Sequence, residues 1–295
     1  MRLDMKSEVK IYTRGDYIRL IAVALITIIM LFPVYWMIMT AIKPMDEWLK
    51  SPPVWFSLSP TLDNFKSLMG FSDAARSVMK EGTTNASGAF FKGFFVCVSA
   101  TILSIVSGTL AAYSISRYRM GGNFLPLFIL SARMFPPIAV ALPLIVMYSS
   151  INAVDTYWGL IVAYTGFTLP FSVWMMKSFI DEVPRELEEA GIMEGMSTFE
   201  AFYKVTIPLV KTGIMVTTLF VFILNWSEFI IALTLSYQSL ETVPVFLATL
   251  FSATAGWLYG PQAALGVLAV IPVIVFGYMI QEHLARGFTF GALKR

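Results

Sequence analysis

An all-α polytopic membrane protein of six transmembrane helices is the fold class this sequence predicts, and three observations predict it. The 295 residues are 57% hydrophobic and only 14% charged, far more apolar than a soluble domain can hide, and mean hydropathy is +0.72. The apolar residues are gathered into six runs of membrane-crossing length. The basic residues of the short connections fall on one side, as the positive-inside rule requires. The long loop 42–89 carries five that do not count against it, since long loops translocate largely regardless of charge.

The six runs are approximately Tyr17–Ala41, Phe90–Ile115, Phe124–Tyr148, Tyr157–Met176, Gly213–Leu235 and Ala263–Ile280. A helix needs roughly 20 apolar residues at 1.5 Å rise to cross the hydrocarbon core. Only helices or closed barrels satisfy backbone polar groups in lipid, and runs this long without period-two alternation exclude the barrel. The first run lacks a small-x-small cleavage signal, so it reads as a retained span. The piece Val243–Ala255 is too short to cross and predicts a re-entrant or interfacial segment between spans five and six.

Arg2, Lys6, Lys10, Arg14 and Arg19 precede span one, and Arg117 and Arg119 follow span two. Lys177, Arg185, Lys204 and Lys211 surround the four–five loop, and Arg286, Lys294 and Arg295 end the chain. Residues 149–156 and 236–261 contain no Lys or Arg. Both termini and the four–five loop are therefore expected on the cytoplasmic side. The predicted organisation is a tail over 1–16, a permease domain over 17–283 and a tail over 284–295. Within the domain lie an external loop at 42–89, a cytoplasmic loop at 179–210 and the external re-entrant loop at 236–261. Pro52, Pro53 and Pro60 with Trp48, Trp55 and Phe56 predict an ordered outer cap.

The formal charge of +2 gives no pull toward nucleic acid. A single cysteine, Cys97, excludes an internal disulfide or a cysteine-based metal site. His283, the only histidine, has no His or Cys neighbours to share a metal.

Span two carries Ala100, Ser104, Gly108, Ala112 and Ser116 at four-residue spacing, a stripe that admits the close approach of another helix. In span three, Arg133 precedes Pro136 and Pro137 and sits roughly 14 Å from the inner end. It faces either a cavity or the bundle, or else snorkels. Span five holds Asn225, Trp226, Ser227 and Glu228, a cluster suited to a translocation path. Glu228, roughly 22 Å from the inner end of its span, has capping near the outer surface as its alternative role.

The four–five loop changes character over Asp181–Pro208. Pro184 suits a first helical turn, Glu186, Glu188 and Glu189 complement its dipole, and Gly195 supplies a stop. Ser197-Thr198-Phe199-Glu200 reads as a capping box opening a second helix that runs to about Ile207. Small Ala190 and Gly191 with bulky Phe199, Phe202 and Tyr203 form either a knob for a partner's groove or an amphipathic loop lying on lipid headgroups. A six-helix secondary transporter or channel is the competing reading of the whole chain, though it calls for intramembrane ion ligands or repeats.

Glu189-Ala190-Gly191, Gly195 and Val205-Thr206-Ile207-Pro208 resemble, with matching spacing, the EAA loop of ABC-importer permeases. Gly191 replaces the second Ala, Glu194 stands where the sugar group usually has Asp, and Val205 and Ile207 replace Ile and Leu. Phe32-Pro33, Lys43-Pro44, Thr61-Leu62-Asp63-Asn64-Phe65, Leu169-Pro170-Phe171, Asn225–Phe229 and the tail Arg286–Lys294 are similar to the six-helix partner of maltose-type sugar permeases. The resemblance covers almost the whole chain.

It implies a permease subunit, not an enzyme, of a binding-protein-dependent importer in a bacterial or archaeal cytoplasmic membrane. The expected partners are a second permease subunit, two ATPase subunits, an extracytoplasmic solute-binding protein and membrane lipid, with no nucleic acid. Glu189, Ala190, Gly191, Gly195, Phe199 and Phe202 would couple to the ATPase, and the tail would touch it. Val243–Trp257, through Phe246, Phe251 and Trp257, would meet the binding protein. Arg133, Asn225, Trp226 and Glu228 would line the path. No metal or cofactor is expected on this chain; ATP and Mg belong to the partners, and the sequence has no phosphate-binding Gly-x-x-x-x-Gly-Lys-Ser/Thr loop.

Overall fold

The computed structural model describes residues 14–69, 86–122, 124–236, 239–252 and 256–292. Four of its helices are long and apolar enough to cross a membrane: α1 (Arg14–Ile42), α3 (Ala86–Tyr118), α6 (Tyr157–Asp181) and α12 (Tyr259–Ala292). Two bent pairs raise the count to as many as six. Span three is α4 (Phe124–Ala132) followed by α5 (Pro137–Ser150), with an 84° bend between them. Span five is α9 (Lys211–Trp226), bent by 74° from the loop helix α8 (Thr198–Leu209) before it.

Two spans read as continuous are therefore broken, for different reasons. Pro136 and Pro137 remove adjacent backbone donors, so the ladder stops at Ala132 and restarts with Pro137 in the first turn of α5. Span five stops at Trp226 and resumes as α10 (Ile230–Leu235), where Glu228 Oε1 accepts the Ile231 N–H at 3.0 Å. Span six extends beyond the expected Ala263–Ile280 at both ends.

Helix α3 is the central element. Its most extensive contact is with α6, along the predicted small-residue stripe. Ala100, Ser104, Gly108, Ala112 and Ser116 are all buried. Ser104 Oγ and Ser172 Oγ share a hydrogen bond at 2.7 Å, and a Cβ on Gly108 would lie 2.6 Å from that of Ser172. Small side chains bring two backbones together, and the hydroxyls that approach satisfy one another.

Three apolar clusters run along α3 from one end to the other. The first joins its start to α9, α12 and the short helices α2 (Asp63–Leu68) and α11 (Val243–Thr249). The second joins its upper half to α6, α10 and the end of α5. The third joins its last turns to α6 and the four–five loop. Helix α1 stands to the side, touching α12 and α2, and its apolar window has no buried residue. A helix apolar all round and uncovered on most faces belongs in lipid.

The segment after α1 packs back on that helix over its described part. Asn64 Nδ2 donates to the carbonyls of Ala41 and Lys43 at 2.9 and 2.8 Å, closing the end of α1. Tyr35 Oη donates to the Trp55 carbonyl at 2.6 Å, and the Lys43 ammonium lies 4.1 Å over the Trp36 ring. Within 236–261 the described residues include α11 and two antiparallel two-residue strands, β1 (Phe251–Ser252) and β2 (Gly256–Trp257). Asp155 ties this segment to the four-helix side by accepting the Ser239 and Leu240 N–H groups at 2.9 and 3.1 Å.

Candidate functional site

The four–five loop folds as the helix, turn and helix its sequence predicts. Helix α7 (Arg185–Met193) ends at Gly195, whose φ of +97° is the left-handed conformation that glycine adopts without strain. Ser197 then accepts the Glu200 N–H while Glu200 accepts the Ser197 N–H, completing the reciprocal box. That backbone bond, with Lys204 beside it, holds the Glu200 carboxyl down at about 2. Helix α8 widens to a π turn over Phe202–Thr206, where the Ile207 N–H reaches back to the Phe202 carbonyl. The wider turn carries the chain past Pro208, which has no donor, to Leu209.

One face of this module points inward and one outward. Met193 is 87% exposed and Phe199 70%, with Ile192, Tyr203, Glu189, Ala190 and Gly195 also exposed. Phe202, expected among the docking residues, is 7% exposed and packs at 4.5 Å on Tyr113 of α3. Gly191 is likewise turned in, against Met196 and Val205. The outward face thus carries the apolar Met193, Phe199 and Tyr203 with the exposed carboxylates of Glu186, Glu189 and Glu194 about them, without Phe202 and Gly191.

The inward face holds a charge network that the sequence alone did not single out. Glu188 is buried beside Arg117 at the end of α3, with both side chains under one-tenth exposed and Arg117 Nη2 2.7 Å from Glu188 Oε1. Arg117 Nε and Thr206 Oγ1 each donate to Oε1 at 2.7 Å, and Tyr113 Oη donates to Oε2 at 3.0 Å. Arg117 Nη2 also reaches the Val183 carbonyl at 3.0 Å. Burial pushes the Glu188 carboxyl upward, but the bonds from Arg117, Thr206 and Tyr113 outweigh it and hold it below the ordinary glutamate range. One carboxylate therefore joins α7, the π turn of α8 and α3. The available signal was helical spacing, since Glu188 and Gly191 share the face opposite Glu189 and Ala190.

The residues expected to line a path separate into two groups. Asn225, 2% exposed, donates to Thr101 Oγ1 at 3.1 Å. Trp226 donates to the Ala269 carbonyl at 2.9 Å and lies among Phe90, Phe94 and Phe222. Both bonds join helices within this chain, α9 to α3 and α9 to α12. Arg133 and Glu228 instead sit at the two breaks. Arg133 is half-buried in the gap of span three, where Nη1 donates to the Phe167 carbonyl near the middle of α6 at 3.0 Å. Among the described residues no carboxylate pairs with it. Glu228 caps α10, and its carbonyl accepts from Tyr164 Oη at 3.2 Å. The second halves of the two broken spans, α5 and α10, pack on each other.

Phe246, expected to meet the binding protein, is 1% exposed within the core cluster. Phe251 and Trp257 are paired in the register of β1 and β2, and their side chains lie outside the described residues, as do those of the expected tail contact at 286–294. Among the described residues no three His, Cys, Asp or Glu side chains group as a metal site.

Residues 104–290 match the family described as binding-protein-dependent transport system inner membrane component. The trehalose/maltose transport system permease protein MalG of Thermococcus litoralis is 32% identical over 280 residues, covering 93% of this chain and 95% of the relative. The sulfoquinovosyl glycerol transport system permease protein SmoH of Agrobacterium fabrum is 30% identical over 282 residues, 95% of this chain and 94% of the relative. In fold, the chain is similar to a subunit of a bacterial ABC transporter that imports the acidic polysaccharide alginate, with a TM-score of 0.72 at 18% identity, over 92% of this chain and 98% of that one.

Proposed function

The chain belongs to the binding-protein-dependent transport system inner membrane component family, and from that premise we propose that it is one of two permease subunits of an importer for a sugar or sugar-like solute. The solute class rests on the relatives, whose names carry trehalose, maltose and a sugar glycoside of glycerol. The partners are a second permease, two ATPase subunits that hold ATP and Mg, and an extracytoplasmic binding protein. The termini and the four–five loop face the ATPases on the cytoplasmic side, as the placement of basic residues requires.

The observation that carries this reading is the exposed knob tied by a buried ion pair to the central helix. Ala190, Met193, Gly195, Phe199 and Tyr203 supply a face that seats in a groove of the ATPase, with Glu189 at its rim. When the ATPase pair closes on ATP, the knob moves, and Glu188 passes that displacement to Arg117 and Tyr113 of α3. Helix α3 is packed along its length on α6, so the bundle turns as a body, the rigid-body form of alternating access.

The path runs beside the breaks in spans three and five. Discontinuous helices place unpaired backbone and charge at mid-depth, where a polar solute needs partners. Arg133, with one backbone partner and no carboxylate among the described residues, has donors left for solute hydroxyls. Glu228 contributes by holding the break open. The strand pair at Phe251 and Trp257 meets the binding protein.

A Phe199→Cys variant, with a single cysteine placed in the ATPase groove, tests the docking face by disulfide formation in membranes. A crosslink that forms with the ATPase and responds to ATP supports it. Equal reaction of Phe199→Cys with a lipid-phase thiol reagent and none with the ATPase rejects it in favour of a loop lying on headgroups.

A further inference from the structure

A cavity of about 620 Å³ opens at the loop end of the bundle, between the last turn of α3, α4, the last turns of α6 and the start of α7. Its charged lining is Arg119, Lys177, Arg185 and Asp181, three cations to one anion. Two of the cations already have partners. Lys177 pairs with Asp181, and Arg185 Nη2 donates to the Ser116 carbonyl at 2.6 Å. The Arg119 side chain makes no hydrogen bond or ion pair among the described residues, while its carbonyl accepts the Gly122 N–H at 3.0 Å in a turn where Arg119 has φ +51° and Gly121 and Gly122 have +71° and +57°.

The opposite wall is apolar. Pro126, Leu127, Leu130 and Trp174 line it, and it continues onto Phe124 and Leu127, which are largely exposed. An aromatic at the end of a span, next to lysine and arginine, marks the level of the headgroups. An occupant must therefore present a negative charge to Arg119 and Lys177 and an alkyl surface to Leu127 and Leu130.

The geometry points to a binding site for an anionic phospholipid, with its phosphate on Arg119 and Lys177 and its acyl chain along α4. A soluble phosphate would satisfy the cations but leave the apolar wall wet. A zwitterionic lipid would bring a cation of its own to a site that already has two in excess. Basic pockets between membrane helices bind anionic headgroups by this arrangement. The site rests on the fold alone and holds whichever solute the transporter carries.

The test uses the purified assembled transporter in nanodiscs of phosphatidylglycerol or of phosphatidylcholine, read by native mass spectrometry as lipid retained per copy. The expected result is retention of phosphatidylglycerol, lowered about thirtyfold in affinity by Arg119→Gln with Lys177→Gln, and kept by the charge-conserving pair Arg119→Lys with Lys177→Arg. Phosphatidylcholine is not retained, and excess inorganic phosphate does not displace the lipid. Equal retention in the neutralised variant, equal retention of phosphatidylcholine, or displacement by inorganic phosphate each overturns the proposal.

Discussion

Replacing Glu188 by alanine probes the tie between the four–five loop and the central helix most sharply. The carboxylate accepts from Arg117, Thr206 and Tyr113, so its removal leaves a guanidinium that is 7% exposed with the Val183 carbonyl as its remaining partner. Stranding one member of a buried pair costs about 3–5 kcal/mol. The double variant Arg117→Met with Glu188→Leu removes both charges and recovers most of that loss, leaving about 1–2 kcal/mol for the Thr206 and Tyr113 hydroxyls without acceptors. Detergent-titrated unfolding of the purified chain measures both. ATPase activity stimulated by the binding protein, measured on the assembled transporter, separates stability from transmission. The double variant folds and assembles but stays uncoupled, because apolar contacts do not fix the loop in register on α3. A single variant that costs under about 1 kcal/mol, the worth of an exposed pair, would refute the buried-pair reasoning. A double variant with normal coupling would refute the transmission.

The same geometry sets five further outcomes. The Glu188 carboxyl is held below its ordinary range, so its contribution is complete above pH about 4.3 and is lost as the pH falls through the lowered value; an acid titration of coupled ATPase activity should show this loss, and it should vanish in the double variant. Gly108→Ile forces a side chain into the 2.6 Å approach to Ser172 and should cost about 3 kcal/mol or more, read as loss of folded chain from the membrane. Gly195→Ala places a Cβ at φ +97° and should lower coupling while leaving the six spans intact, as proteolytic mapping of the loop would report. Arg133→Met should leave stability within about 1 kcal/mol and lower solute uptake at least about tenfold, whereas Glu228→Gln, which keeps its acceptor for the Ile231 N–H, should transport normally.

Much of this was legible in the residues. Hydrophobic run length placed the spans, the four-residue spacing of Ala100 to Ser116 located the closest helix contact, and Ser197 to Glu200 with Gly195 fixed the loop's turn. These are local signals, set by backbone chemistry within one turn or one face. What was not legible depended on contacts distant in sequence. Phe202 reads as bulky and available until Tyr113, far back on α3, is found against it. Glu188 reads as one of several dipole-complementing acids until Arg117 arrives beside it. Asn225 and Trp226 look like path residues because polar and aromatic side chains in a span have two uses, lining water or sealing helices. Here Thr101 and the Ala269 carbonyl take up the polar atoms of both, bonds between distant helices that the sequence does not show. The breaks in spans three and five had a partial signal in Pro136 and Pro137, but Glu228 as a cap within span five needed the turn to be seen.

Transmission of ATPase closure through this chain to a path it helps to form is tested by reconstituting it with a second permease, ATPases and binding protein in proteoliposomes and measuring ATP-dependent solute uptake alongside ATPase activity. Uptake is expected only in the complete assembly, and the Phe199→Ala variant should lose uptake with the ATPase still active but no longer stimulated by the binding protein. Uptake by this chain alone without ATP, or full coupling in Phe199→Ala, would contradict it.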